Sequence, residues 1–511
     1  MRGPDSMPVL NRSRMLSGNQ VFCVCFAAML LICAAAAVYC SRHWPLAGDA
    51  ALMHYVVFLM RHGFIPYKDI ADVNLPGSYL ADTFAMHVFE GALGWRIYDL
   101  LVTILLTTAA VFITRKKEIF AGIFAGLFFL LMHLQDGIAQ AGQRDLVVAA
   151  LLIWAYALLF RAQNRPFYGL PAFVFGFFLG VSGLIKPFFL PLGAVLLLLS
   201  AQRARKCGVH PVWHLGLGFL GLSLPPAGAT IWLCRHGALS AFVHTLRGLI
   251  PLHASLGHRP IAYLLTHCVA PILPLCLLWI VVWILLRKPF DLERAELLLG
   301  AIVALLAYVA QGKGYPYHRY PLMALLLLMM GIDFSAGLER KGWVRCFSVV
   351  ALAAACFFYA PRAAWLVHSF DPAMPFEQNL AHDLRRYGNL SENVQCLDTF
   401  GGCINTLYNL RAVQSTGFLY DCYLYVPGEA AEEYRRAFWT AYQKARPEIV
   451  VLTSQYCFSR DSFQKIDAWP QLRNDLSDSY QVVTEWHATQ PQHWWSRREF
   501  PSQYRIYLRK H

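Results

Sequence analysis

The chain has 511 residues, of which 57% are hydrophobic and 15% are charged, and its mean hydropathy is +0.42. This composition excludes an ordinary soluble protein. The formal charge of +13 does not indicate nucleic-acid binding, because much of the basic excess lies in short clusters between apolar segments, as is typical of cytoplasmic loops. The clusters are Arg115, Lys116, Lys117; Arg203, Arg205, Lys206; Arg287, Lys288; and Arg340, Lys341, Arg345.

The apolar segments recur through the first 362 residues and predict a polytopic, all-α membrane domain, since about 20 apolar residues cross a bilayer as a helix. We expect eleven spans, at 20–40, 94–113, 119–135, 146–161, 167–184, 188–202, 211–233, 263–286, 297–311, 320–336 and 346–362. With a cytoplasmic N-terminus, the basic clusters all fall inside. The segments 41–93, 136–145, 234–262 and 312–319 then fall outside, and we call them the outer loops.

The first apolar segment has a second interpretation, as a cleaved signal peptide. It follows Arg2, Arg12 and Arg14 and contains three consecutive small residues at 35–37. Its length exceeds the usual apolar core of a signal peptide, which favours a retained helix.

From residue 363 onward, polar and charged residues become frequent. The pattern 429–445 predicts a helix and 447–454 a buried strand, so residues 363–511 are expected to form a small α/β or α+β domain outside the membrane. A Cys396–Cys403 disulfide is possible in an oxidising compartment, against the alternative of free thiols. The aromatic segment 486–495 packs a small core, lies at the membrane surface or stacks on sugars.

The outer loops hold five carboxylates that are candidates for chemistry. Asp49, Asp69 and Asp72 lie in the first outer loop, and Asp136 and Asp145 lie in the second. Acids at an outward-facing membrane surface can accept a proton or hold a divalent cation such as Mg²⁺ or Mn²⁺. Asp136 and Asp145 are the candidates for such a metal site. For Asp49 there is a simpler alternative, because it precedes a predicted interfacial helix at 50–63 and could serve only as its N-cap.

Basic groups predicted on the same side could bind an anion. Lys313, His318 and Arg319 lie close together in the loop 311–321, and Arg144 and Lys186 lie at outer helix junctions. Such a cluster suits a phosphate, although Lys186 could instead extend its amine to the lipid headgroups. An acid beside an anion pocket fits transfer of a sugar from a lipid-anchored phosphate, in which a carboxylate deprotonates the acceptor and cations stabilise the leaving group.

The first outer loop resembles that of the GT-C superfamily of membrane glycosyltransferases, particularly the family of protein O-mannosyltransferases and lipid A aminoarabinose transferases. The pattern is G-D-x5-Y-x7-G-x2-P-Y-x-D-x6-P-x2-Y, formed here by Gly48, Asp49, Tyr55, Gly63, Pro66, Tyr67, Asp69, Pro76 and Tyr79. The resemblance implies that Asp49 is the catalytic base and that Asp145 or Asp136 is the acid of the next outer loop. It also implies that the segment KGYPYHRYP lies over the donor phosphate.

The chain departs from the aminoarabinose transferases at the end of this loop. Those relatives carry an acid and a lysine before the proline, whereas this chain has Asn74, Leu75 and Pro76. Lys186, Lys313 or Arg144 would then take over the phosphate contact, and lipid A is a less favoured acceptor.

The sequence therefore predicts a GT-C glycosyltransferase in the bacterial inner membrane. It would use a polyprenyl-phosphate sugar on the periplasmic face and transfer to a glycan, a lipid or a protein. The alternatives are a transporter or flippase for lipid-linked glycans, and a polysaccharide polymerase or ligase. A transporter predicts charges in mid-span and symmetric halves, which the sequence does not show.

Overall fold

The computed structural model describes residues 18–115, 118–161, 169–206, 210–456, 460–488 and 503–510. Several sequence predictions lie outside the described residues: those for the basic N-terminus, the loop 162–166, Lys116, Lys117, Cys457 and the aromatic residues 489–495. The described chain is mostly helical, with one small sheet near its C-terminus.

The helices of the first half begin with α1 and end with α9, a long helix that contains two prolines in its interior. They are α1 (Gly18–Ser41), α2 (Gly48–Arg61), α3 (Pro76–Met86), α4 (Gly91–Thr114), α5 (Ile119–Gln135), α6 (Arg144–Arg161), α7 (Leu170–Ile185), α8 (Phe189–Lys206) and α9 (Pro211–Arg235).

Three short helices follow, and then the last long ones. They are α10 (Leu239–Arg247), α11 (Leu249–Ser255), α12 (Ile261–His267), α13 (Leu273–Leu286), α14 (Leu292–Gln311), α15 (Tyr320–Leu338), α16 (Trp343–Ala354) and α17 (Ala360–His368). A 3-10 turn, Pro316–Arg319, leads into α15, and a π-helical segment, Ala355–Tyr359, joins α16 to α17.

Within the described residues, every apolar segment predicted to span the membrane is helical, although 263–286 and 346–362 each contain more than one helical segment. The protein is a multi-pass membrane protein. By length and composition, five helical segments among the described residues can cross a bilayer: α1, α4, α9, Pro316–Leu338 and Trp343–His368. The number of eleven crossings stays a prediction.

The span predicted at 263–286 is not one straight helix. The chain is bent by 41° between α12 and α13, and this pair would make a sixth crossing if it is a single broken span. Pro271 and Pro274 lie at the bend. A proline lacks the backbone N–H that would continue the hydrogen-bond ladder, which explains the break.

Helix ends that the predicted topology places on one face lie together in the structure. The start of α6, the ends of α7 and α14, and the residues just before α8 meet around a cavity. At the other end of the bundle, Arg203 pairs with the buried Glu296, and Arg294 pairs with the buried Asp333, which also accepts a hydrogen bond from Trp279 at 2.9 Å. These buried carboxylates are paired, as the low dielectric requires.

The C-terminal region combines four helices with a four-stranded sheet. The elements are α18 (Pro375–Leu384), α19 (Cys403–Asn409), α20 (Glu429–Ala445), α21 (Pro470–Ser479), β1 (Val394–Leu397), β2 (Ile449–Thr453), β3 (Tyr480–His487) and β4 (Gln503–Arg509). The strand order is β1-β2-β4-β3, with β1 parallel to β2 and the other pairs antiparallel. The predicted helix 429–445 and strand 447–454 are confirmed, as is the Cys396–Cys403 disulfide.

Helix α2 packs differently from the prediction. We expected a helix lying in the membrane interface, but its residues from Ala50 to Leu59 are all buried. Tyr55 accepts a hydrogen bond from the backbone N–H of Gln414 at 2.7 Å and donates one to the carbonyl of Ala412 at 3.1 Å. The apolar residues on every side of α2 are thus explained by the C-terminal region that covers it.

Candidate active site

A cavity of about 610 Å³ lies where the outer loops meet the C-terminal region. Its charged lining residues are Asp49, Arg144, Lys186 and Lys313. Other contributors are His253, from α11, and His318, from the 3-10 turn before α15. Four predicted outer segments, which are far apart in the sequence, therefore contribute to one site.

Asp49 lies in the first turn of α2, and its carboxylate faces the cavity. Its Oδ2 atom accepts hydrogen bonds from Arg144 Nη2 at 3.2 Å and from the Tyr317 hydroxyl at 3.1 Å. The N-cap of α2 is Ala47, with no side-chain cap, so the interpretation of Asp49 as a helix cap is wrong. Gly48, directly before Asp49, has a φ of +54°, which glycine adopts more readily than other residues. A Cβ at this position would also lie only 3.2 Å from the Cβ of Ala139.

The loop that presents Arg144 is fixed by residues of α4. Asp99 accepts a hydrogen bond from the backbone N–H of Gly142 at 2.6 Å and contacts His133 Nε2 at 2.9 Å. Trp95 Nε1 donates to the carbonyl of Ala141 at 3.1 Å. Arg144 is therefore held in place before any substrate binds, which is the condition for electrostatic stabilisation without reorganisation.

Lys186 is the C-cap residue of α7, and its side chain lines the cavity and contacts two partners. Its ammonium lies 3.3 Å from Asp145 and donates a hydrogen bond to Gln311. Lys186 therefore forms a buried ion pair and does not extend to the lipid headgroups. Asp145 acts on the cavity through this lysine.

Lys313 donates a hydrogen bond from Nζ to the carbonyl of His253 at 2.5 Å. Burial, together with the charges of Lys313 and Lys186, lowers the pKa of His253 to about 3. The ring of His253 contacts the Tyr423 hydroxyl through Nδ1 at 2.7 Å. His253 is therefore neutral at physiological pH and adds no charge to the site.

Three buried polar atoms of the lining have no hydrogen-bond partner among the described residues. They are Arg144 Nη1, Gln140 Oε1 and His318 Nδ1. Leaving a buried polar atom unpaired costs about 1–3 kcal/mol, and more for a charged group. Such a concentration of unpaired atoms in one cavity indicates a polar ligand.

Four predicted site residues are not brought into the cavity. Asp69 is exposed and accepts a hydrogen bond from the backbone of its own loop at Ile65, at 2.9 Å. Asp72 is buried in a turn and accepts a hydrogen bond from Tyr420 at 2.8 Å. Arg319 and Asp136 bind each other at 2.5 Å, outside the cavity lining. The sequence predicted these four charges in outer loops but could not show that local partners already satisfy them.

The suggested metal site of Asp136 and Asp145 does not form as a cluster. Each acid binds a different cation, Arg319 and Lys186 respectively. Within the described ranges, no group of three or more His, Cys, Asp or Glu side chains is arranged to hold a metal ion.

Sequence reasoning missed several residues of the site. It also missed Asp82 in α3, which does not line the cavity. Burial raises the pKa of Asp82 to about 7, with Arg144 opposing the shift and Asp49 adding to it. Tyr317 belongs to the segment that was singled out, but it was not distinguished from the other aromatic residues there. Phe400, Tyr420 and Gln455 line the cavity from the C-terminal region, and no local pattern in the sequence indicates this long-range contact.

Comparison with solved structures identifies the architecture. ArnT from Cupriavidus metallidurans bound to undecaprenyl phosphate aligns with a TM-score of 0.60 and 13% identity, over 94% of this chain and 97% of that one. Its apo state aligns with a TM-score of 0.59 and 13% identity, over 96% and 98% of the two chains. The chain has the fold of ArnT. The predicted GT-C resemblance is thereby confirmed at the level of the fold.

A further similar structure is the archaeal oligosaccharyltransferase AglB from Archaeoglobus fulgidus, in complex with an inhibitory peptide and a dolichol-phosphate. It aligns at 12% identity over 84% of this chain and 69% of AglB, and its TM-score of 0.48 adds nothing to the fold assignment. No protein-family model matches the sequence, and no curated protein matches it.

Proposed function

We propose that this protein is a glycosyltransferase that moves a sugar from a polyprenyl-phosphate donor to an acceptor at the periplasmic face of the inner membrane. The observation that carries the proposal is the convergence of the Asp49 carboxylate with Arg144, Lys186 and Lys313 in one cavity. An acid beside several cations matches the needs of displacement at a sugar C1 with a phosphate leaving group. The fold shared with ArnT, which has been solved with undecaprenyl phosphate, supports the choice of donor.

In the proposed reaction, Asp49 takes the proton of an acceptor hydroxyl. The hydroxyl oxygen forms a bond to C1 of the sugar, and the bond between C1 and the phosphate oxygen breaks. The electron pair of that bond leaves with the polyprenyl phosphate. Arg144 and Tyr317 orient the Asp49 carboxylate through the oxygen they share, which leaves its other oxygen, Oδ1, for the acceptor.

The charge that develops on the leaving phosphate would be stabilised by Lys186, Lys313 and Arg144. His318, whose Nδ1 is buried without a partner among the described residues, is a further hydrogen-bonding group for the phosphate. Asp145 is assigned to positioning Lys186. We assign residues 1–362 to the catalytic membrane domain and residues 363–511 to a periplasmic domain, with the N-terminus in the cytoplasm.

The test is transfer of radiolabel in proteoliposomes. Undecaprenyl-phosphate-linked mannose, glucose, arabinose and aminoarabinose would be offered in turn, with acceptors extracted from bacterial envelopes. The wild-type protein is expected to transfer one of these sugars, and Asp49→Asn is expected to lose transfer. Asp69→Asn is the matched control, since it changes the same residue type in the same loop at an exposed position outside the cavity.

Three results would contradict the proposal. Full activity of a folded Asp49→Asn protein would show that Asp49 is not the general base. A donor that crosses the bilayer without losing its sugar would favour a flippase. Label that appears only in lengthened lipid-linked polymer would instead favour a polymerase or ligase.

A further inference from the structure

Part of the cavity wall is formed by the C-terminal region and differs chemically from the rest. The residues are Phe400, which follows β1, Tyr420, and Gln455, which follows β2. We call these three residues the C-terminal wall. Among the described lining residues of the C-terminal region none is charged, whereas all the lining cations come from the membrane helices and their loops.

The C-terminal wall is continuous and close to Asp49. Gln455 Oε1 accepts a hydrogen bond from the Phe400 backbone at 2.8 Å, and the Phe400 and Tyr420 rings lie 6.3 Å apart, edge to face. The Tyr420 hydroxyl donates to Asp72 at 2.8 Å. Burial, followed by the negative charges of Asp72 and Asp49, raises the pKa of Tyr420, so this ring lies within the electrostatic field of the proposed base.

Phe400 is held rigidly at the cavity. Its loop is closed by the Cys396–Cys403 disulfide. The buried Asp398 carboxylate accepts hydrogen bonds from the Gly401 and Cys403 backbones at 2.7 and 2.9 Å, and from the Thr453 hydroxyl at 3.0 Å. The disulfide and the three hydrogen bonds to Asp398 fix this loop, so the Phe400 ring loses little conformational entropy when a ligand binds.

Gln455 is fixed in a similar way by a buried ion pair. Lys465 Nζ donates to the Gln455 carbonyl at 2.5 Å and to Asp421 at 2.5 Å, and both charged side chains are almost fully buried. Neither Lys465 nor Asp421 lines the cavity. Their contacts therefore give these buried charges a positioning role, since they hold the backbone that presents the Gln455 amide.

The free groups of the C-terminal wall are an aromatic ring and an amide. Phe400 and Gln455 are both partly exposed. The carbonyl of the Gln455 side chain is engaged by Phe400, while its NH₂ group donates no hydrogen bond to another described residue. An amide donor beside an aromatic face matches a sugar, which offers hydroxyl acceptors on its edge and C–H bonds on its face.

We propose that Phe400, Tyr420 and Gln455 form the acceptor subsite, and that this subsite takes a neutral sugar ring with free hydroxyls. An anionic acceptor would meet no cation on the C-terminal wall and would lie near the carboxylates of Asp72 and Asp49. This inference rests on the proposed function, because a hydroxyl must reach Asp49 while the donor phosphate occupies the cations.

The test measures acceptor binding separately from catalysis. The full-length protein in nanodiscs would first be saturated with undecaprenyl phosphate, so that the donor side is filled. Photoreactive neutral alkyl glycosides, hexopyranosides and pentopyranosides, would then be compared with their phosphorylated counterparts by crosslinking. We expect a neutral glycoside to label the wild-type protein and the phosphorylated forms to label it at least tenfold less.

Variants locate the binding. Gln455→Leu and Phe400→Ala should each weaken labelling by a neutral glycoside about fivefold to tenfold, which is the usual effect of losing one hydrogen bond or one aromatic contact. Phe400→Trp should restore it, and Gln471→Leu, at an exposed position of the same domain, should not change it. Undecaprenyl phosphate binding should stay at the wild-type level in all four variants, which also confirms folding.

The inference is overturned if no neutral glycoside labels the protein, if the phosphorylated forms label it equally well, or if the Gln455 and Phe400 variants label like wild type. Failure of the proposed function has a different signature, namely that undecaprenyl phosphate does not bind, or binds without dependence on Lys313 and Arg144.

Discussion

Replacing Tyr317 with Phe tests whether the proposed base depends on its hydrogen-bond donors. The change removes one hydroxyl, which donates to Asp49 Oδ2 at 3.1 Å, and leaves the ring and its edge-to-face contact with His318 at 4.5 Å. A hydrogen bond to a charged group contributes about 1.5–3 kcal/mol. If it is used in the transition state, Tyr317→Phe should lower kcat/KM about 10-fold to 150-fold.

The assay is the initial rate of sugar transfer in proteoliposomes, together with undecaprenyl phosphate binding. Binding should stay within about threefold of wild type, because Tyr317 acts on the carboxylate and not on the phosphate. Tyr308→Phe is the matched control. Its hydroxyl is buried without a partner among the described residues and lies outside the cavity lining, so transfer should be unchanged. Wild-type transfer by Tyr317→Phe would refute the claim that this contact orients the base.

Three further predictions concern the phosphate, the pH dependence of stability and the disulfide. Lys313→Met should weaken undecaprenyl phosphate binding about 10-fold to 100-fold, as expected for loss of a charged contact. The control Lys444→Met, at an exposed position, should bind like wild type. Equal affinities of Lys313→Met and wild type would show that Lys313 does not contact the phosphate. Burial raises the pKa of Glu377 from 4.5 to about 8. Between these pH values the folded state keeps a proton that the unfolded state loses. The free energy of unfolding therefore falls as pH rises through this interval, by up to roughly 5 kcal/mol. Glu377→Gln should therefore raise Tm at pH 9 relative to wild type and have little effect at pH 4.5, and parallel Tm curves would contradict this. Reduction of the Cys396–Cys403 disulfide should weaken acceptor binding and leave undecaprenyl phosphate binding intact. An unchanged crosslinking yield of neutral glycosides would show that the disulfide does not position Phe400.

The helices of the membrane region could be predicted because hydropathy depends on local composition. All eleven apolar segments are helical where the structure describes them, and even the break in 263–286 had a local signal in Pro271 and Pro274. The interfacial placement of α2 was wrong for an identifiable reason. The helix from Ala50 to Leu59 is apolar on nearly every side. Such a helix fits burial beneath the C-terminal region better than a position at a membrane surface.

The site was predictable only where chemistry follows from residue type and topology. Asp49, Arg144 and Lys313 were identified as charges in outer loops and Lys186 as a charge at a helix junction. The structure brings all four together. Pairing could not be read from the sequence, because Arg319 and Asp136 are 183 residues apart. The contributions of Phe400 and Gln455 arise from the packing of the C-terminal region onto the loops, which is a property of the tertiary structure.

The central claim, that Asp49 performs the chemistry in a cavity that holds a polyprenyl-phosphate donor, is tested most directly by single-turnover transfer. The donor identified in the proteoliposome assay would be bound in advance to an excess of wild-type protein or of Asp49→Asn, and acceptor would then be added. We predict equal donor binding and a transfer step that is about 10²-fold to 10⁴-fold slower in Asp49→Asn, as expected for loss of a general base. Transfer at the wild-type rate from the bound donor would contradict the account.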